Sequence, residues 1–161
     1  AARSLMYRVS PPVLFVLGLM PALEWLAEDM RRSYGLVVNA TQSGDGEPLA
    51  LDETVRSVLF RCVRELLANV AKHAKVHSAD VSVSREGGKL VVSVTDAGVG
   101  FDTALLAQAG SGGRYGLDSV RERLGFIDGT FTINTNPGDG TTATLAVPLA
   151  KQNGARARAS K

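Results

Sequence analysis

DETVRSVLFRCVRELLANVAKHAKVHSADVSVSREGGKLVVSVTD, residues 52–96, decides the fold. In its first half Val55, Val58, Leu59, Cys62, Val63, Leu66, Leu67 and Val70 keep the three-four spacing of an amphipathic helix. That spacing predicts a helix from Asp52 to about Lys75, with the acid of Asp52 or Glu53 favoured at its positive end. In the second half Val81 and Val83 alternate with Ser82 and Ser84, so Ala79 to Arg85 reads as a strand. Glu86-Gly87-Gly88-Lys89 is a hairpin turn, and Leu90 to Asp96 is a second, more apolar strand.

Working outward, Leu19, Leu23, Leu26, Ala27 and Met30 form the apolar stripe of a helix ending near Tyr34–Gly35. Leu36 to Thr41 is a short β-branched strand, closed by the turn residues SGDGEP. A glycine-rich stretch from Ala97 to Gly116 leads into a helix with Leu117, Val120 and Leu124 on one side. Thr130 to Thr135 and Thr141 to Val147 form a second hairpin around NPGDG. No repeat of 20 to 50 residues is visible. These elements imply an α+β fold, a two-layer α/β sandwich with a mixed, mostly antiparallel sheet and helices on one face.

The 161 residues fit one domain, and 45% hydrophobic against 21% charged residues gives enough apolar surface for a core. The net charge of +2 invites a nucleic-acid reading, but its location argues otherwise. Residues 151–161 carry four bases and no acid, so residues 1–150 hold 14 bases against 16 acids, a slightly acidic body with no basic face for nucleic acid. The tail from 150 to 161 reads as disordered. Cys62 is the single cysteine and falls in an apolar helical pattern, which suits a reduced, buried thiol and a cytoplasmic setting. With only His73 and His77 beside it, a zinc site is not expected. The apolar stretch Val13 to Leu23 is about half the length a spanning helix needs and contains Pro21, so neither a membrane segment nor a signal peptide is expected. A chain opening AARSLMYR, without an initiator Met, is expected of a fragment or processed product.

On the long helix Glu65, Asn69 and Lys72 lie within roughly 60° of one another, a polar stripe at the margin of the buried face. It is either a solvated edge or a row of side chains overhanging a cavity. Period two puts the Asp96 carboxylate on the core-facing side at its strand's exit, where it needs a partner. It is suited to accept a hydrogen bond from an exocyclic amine such as that of adenine, or else to form an Asx-type turn into Ala97-Gly98-Val99-Gly100. The second glycine cluster, Gly110 to Gly116, opens a helix at Leu117 as a phosphate site would, though any long surface loop can be glycine-rich. No GxxxxGK[ST] loop occurs, Thr103 stands where a dinucleotide fingerprint needs glycine, and the protein-kinase motifs are missing.

Taken in order, ELLANVAKHA (65–74), DAGVGF (96–101), GGRYGL (112–117) and GDGTTATLAVP (138–148) resemble the N, G1, G2 and G3 boxes of the ATP-binding domain shared by gyrase, MutL and bacterial sensor histidine kinases. SPPVLFVLGLMPALEWLAEDM at the start and YGLDSVRERL further on are similar to the NarL-type subgroup of those kinases. The resemblance implies a Bergerat-type sandwich over residues 11–149, preceded in 1–10 by the remnant of an upstream helix or linker. It implies that Asn69 binds Mg²⁺, that Lys72 and His73 meet phosphates, and that Asp96 holds the adenine amine. Glu65 would be the polarising or base residue. Gly98 and Gly100 would pass the adenine edge, and Gly113, Arg114, Tyr115, Gly116 and Leu117 would wrap the phosphates. Thr141 would close the adenine side.

In such kinases ATP phosphorylates a histidine on a separate dimerisation domain, which then serves a downstream response regulator. The acceptor signature HD-x-x-x-Q/G is nowhere in this sequence, and neither His73 nor His77 fits the acceptor. The chain is therefore expected to bind ATP with Mg²⁺ but barely turn it over. The rival readings are a serine kinase of the anti-sigma type, which shares the four boxes, and a degenerate nucleotide sensor, which would keep Asp96 while losing Glu65 or Asn69.

Overall fold

The computed structural model describes residues 17–44, 51–100 and 116–149. In chain order these form α1 (Leu19–Tyr34), β1 (Val37–Gln42), α2 (Glu53–Asn69), a π-helical turn (Val70–Ala74), β2 (Ser78–Glu86), β3 (Lys89–Asp96), α3 (Leu117–Gly125), β4 (Thr130–Thr135) and β5 (Thr141–Pro148). The strand order is β1-β2-β3-β5-β4, with β1 parallel to β2 and every other pair antiparallel. Both hairpins expected from the sequence are present. The chain crosses from β3 through α3 to β4 at the edge and returns by β5 into the gap beside β3.

One sheet face is apolar and the other is not. Val83, Val92, Leu145 and Phe131 pair across four strands to make one buried row, and Val81, Val94, Ala143 and Ile133 make the next. The opposite face carries Ser82, Ser93, Thr144 and Thr132 at matching register, with Ser93 and Thr144 hydroxyls 3.4 Å apart. Period two along each strand produces this split, so helices are needed on one side only. There α1 packs on β1, α2 over β3 and α3 beside β4. Leu59, Phe60, Val63 and Leu67 of α2 are buried between sheet and neighbouring helices, with Phe60 against Trp25 of α1 at 6.3 Å between ring centroids. Among the described residues no helix is long and apolar enough to cross a membrane.

The α1 stripe contains Leu19, Leu23, Leu26 and Met30 as expected, but Ala22 is buried where Ala27 is only half-buried. A residue as small as alanine reports a helix face poorly, so neighbours decide which one is covered. Gly35 ends α1 in the left-handed conformation, its N–H reaching back to Arg31 O at 2.9 Å. The larger difference lies at the end of the long helix. The α-helical ladder stops at Asn69 instead of reaching Lys75, and Val70–Ala74 form a wider π turn closed by Lys75 in the left-handed region, φ 59°. Residues 1–16 and 150–161, including the expected linker remnant and basic tail, lie outside the described residues.

Candidate functional site

The inner sheet face does not stay apolar to its end. Beyond the row of Val94 and Ala143 comes a row of Asp96, Thr141 and Thr135, paired across β3, β5 and β4. The Thr135 hydroxyl lies 2.8 Å from that of Thr141 and donates to Gly140 O at 3.0 Å. The last turn of α2 and the π turn pass above this polar row. Between them is a cavity of about 250 Å³, walled by Leu66, Val70, Ala74, Val94, Val99, Leu117, Ile133 and Ala143. Its polar members are Asn69, His73, Asp96 and Thr141. Apolar walls with a few convergent polar groups are the usual build of a small-molecule site.

Asp96 is buried at 8% exposure. Its Oδ1 accepts the Gly98 N–H at 2.8 Å, so the Asx turn forms, and Asp96 also lines the cavity. Burial pushes its carboxyl above the ordinary aspartate range, and the Gly98 N–H offsets this only in part. A carboxylate so desolvated is a strong acceptor for an N–H donor entering the cavity.

Of the residues singled out in the sequence, Asn69, His73, Asp96, Gly100, Leu117 and Thr141 line this one cavity. Gly98 stands behind Asp96, bonded to it. Lys72 is exposed and is not in the lining. The π turn explains the separation of Lys72 from Asn69: with more residues per turn, position i+3 falls further from position i while i+4 stays close, so His73 faces the cavity beside Asn69. Glu65 is half-buried beside the cavity, against Gly116 at the start of α3. A Cβ on Gly116 would displace the Glu65 carboxylate, and its φ of 66° is left-handed, the backbone conformation that favours glycine. Gly113, Arg114 and Tyr115 lie outside the described residues.

The apolar walls other than Leu117 are what the sequence reading missed. Leu66, Val70 and Val94 carried a signal, since they belong to the stripes that marked α2 and β3, but they read as core. Val99 is 44% exposed and carried none, because a valine between two glycines has no period to place it.

The sequence matches the family described as histidine kinase-, DNA gyrase B- and HSP90-like ATPases over residues 54–151. It is 33% identical over 147 residues to the signal transduction histidine-protein kinase/phosphatase DegS of Brevibacillus brevis, covering 91% of this chain and 36% of that protein. The chain thus spans about a third of that relative's length. In fold it is similar to the histidine kinase domain of the Erythrobacter litoralis EL346 blue-light activated histidine kinase, with TM-score 0.63 and 21% identity over 83% of this chain and 62% of the other. The Acinetobacter baumannii histidine kinase AdeS gives TM-score 0.63 and 15% identity, covering 80% of this chain and 64% of the other. With the ordered boxes, the five-stranded sheet and the cavity over Asp96 in agreement with that match, the chain belongs to the family of histidine kinase-, DNA gyrase B- and HSP90-like ATPases.

Proposed function

We propose that this chain is the ATP-binding catalytic domain of a cytoplasmic sensor histidine kinase of the NarL type, presenting Mg-ATP to a histidine on a separate dimerisation domain that in turn serves a response regulator. The observation that carries the reading is Asp96, a buried carboxylate in the polar row at one end of an apolar cavity, within a chain whose family is one of ATPases. In this reading Asp96 accepts the exocyclic N–H of adenine, and Val70, Val94 and Ile133 cover the base. Thr141, hydrogen-bonded to Thr135, closes that side.

Among the described residues no three His, Cys, Asp or Glu side chains converge on a metal position, and the cavity lining includes Asn69, whose amide oxygen would be the protein's ligand to a metal. That donor set suits Mg²⁺, which keeps waters and takes its remaining ligands from phosphates. Held there by Asn69, Mg²⁺ would supply neutralisation of charge on the phosphates. In this reading His73, in the cavity lining, and Lys72, exposed outside it, contact the phosphates, as do Gly113, Arg114, Tyr115, Gly116 and Leu117. Glu65 orients and polarises the incoming imidazole. Phosphoryl transfer is chiefly positioning and electrostatics, so the domain holds ATP by itself and transfers only when the acceptor is supplied.

Calorimetric titration with a non-hydrolysable ATP analogue, with and without Mg²⁺, tests binding. A histidine-bearing dimerisation domain of this family added in trans should acquire an acid-labile phosphohistidine, and Glu65→Gln should slow its formation more than it weakens ATP binding. A stable phosphoserine on the partner would replace this reading by a serine kinase. Tight ATP binding with no transfer to any partner would leave a nucleotide sensor.

A further inference from the structure

The two polar sides of the cavity sit on elements separated by a hairpin, and one backbone bridge joins them. At the end of the π turn, Ala74 O accepts the N–H of Val99 at 3.0 Å. Val99 O in turn accepts the N–H of Gly138, in the β4–β5 turn, at 2.6 Å. Val99 lies three residues after Asp96 and one after the glycine whose N–H holds the Asp96 carboxylate. The loop bearing Asp96 is thereby tied to the segment bearing Asn69 and His73.

Two features accompany this bridge. A Cβ on Gly98 would stand 2.7 Å from Ala74 Cβ and 2.8 Å from Asp96 Oδ1, and closer still to the Ala74 carbonyl, so any side chain there pushes the loop off the helix end. On the other side, the helix abandons its α ladder at Asn69 and ends with Lys75, a non-glycine residue, in the left-handed region. π turns and such backbone outliers cost free energy, and they persist where the surrounding structure demands them. The demand here is that the Ala74 carbonyl meet Val99 while Asn69 and His73 both face the cavity.

We propose that the Val70–Ala74 π turn and its bridge through Gly98 and Val99 fix the spacing between the base-accepting carboxylate of Asp96 and the phosphate-side groups Asn69 and His73. Ala74, Gly98 and Val99 are then positioning residues for Mg-ATP. This rests on the nucleotide reading above. Its signature is a loss seen only when both halves of one ligand must be engaged at once, because each half-site survives while their relative placement is lost.

The test compares the unmodified chain with Gly98→Ala by calorimetry, using adenosine, Mg-triphosphate and Mg-ATP. The variant should lose about tenfold more affinity for Mg-ATP than it loses for adenosine or for Mg-triphosphate. Unchanged Mg-ATP affinity overturns the proposal, as does an equal loss for adenosine, which would mean that only the Asp96 pocket was damaged. If the variant does not fold, amide hydrogen exchange in the unmodified chain decides: the Val99 and Gly138 amides should be protected without nucleotide, and exchange at open-loop rates overturns the bridge. A parent chain that binds neither adenosine nor Mg-ATP sinks the nucleotide reading and the positioning role with it. A parent that binds both, beside a variant that binds them equally well, sinks the positioning role alone.

Discussion

The two ends of the cavity are built from different kinds of structure. Asp96 and Thr141 sit at strand ends in register with each other within a five-stranded sheet, and Thr141 is paired again with Thr135 on its other side. Asn69 and His73 project from the end of one helix, at the point where its regular ladder gives way to a π turn. A hydrogen bond to one edge of a base weakens steeply with distance and angle, whereas attraction for a metal or phosphate falls slowly. Discrimination therefore belongs on the sheet, and charge compensation tolerates a helix side chain.

Asp96→Asn should break the sheet end most completely. The amide oxygen can still accept the Gly98 N–H, so the loop is kept, but the charged acceptor is gone, and ATP affinity should fall by roughly 1.5–3 kcal/mol, the range for a hydrogen bond to a charged group. Thermal stability should hold or rise, since a desolvated charge has been removed. A parallel loss of fold and affinity would make Asp96 a structural residue.

Asn69→Ala tests the helix end. Most of the tightening of ATP by Mg²⁺ should vanish, while metal-free binding changes little, because the residue gives one oxygen to a cation otherwise held by phosphates and water. Equal help from Mg²⁺ in variant and parent would remove Asn69 from the metal site.

Acid should act on the sheet end first. The Asp96 carboxyl titrates above the ordinary aspartate value of about 3.9, so ATP affinity should decline on acidification before ordinary aspartates protonate. The contribution of this group to stability has the opposite sign. The folded state holds its proton more tightly than the unfolded chain, so stability is lost as pH rises from the unfolded value through the raised folded one. Asp96→Asn should abolish both limbs, which calorimetry and thermal melts across pH can check.

The smallest effects separate two neighbours. His73→Ala should weaken Mg-ATP by a few-fold and Lys72→Ala by less, because both are exposed but only His73 lines the cavity. The reverse order would mean that binding rewinds the π turn.

Much of this molecule was written in local pattern. The apolar periods of Leu19–Met30 and Val55–Val70, the alternation in β2 to β5 and the glycine turns each act over a few residues, and sequence spacing alone determined those helices and hairpins. Asp96 was legible as a buried acid for the same reason: period two continued from Leu90 puts it on the inner face. What tertiary structure alone decided is how those pieces meet. β5 lies between β3 and β4, which no hairpin pattern specifies. The apolar walls of the cavity are core residues that a gap between helix and sheet leaves uncovered. The end of the long helix shows the reason most sharply. Its sequence keeps a helical period to Val70 and beyond, yet the ladder changes at Asn69, because the place of the Ala74 carbonyl is set by Val99, 25 residues later in the chain.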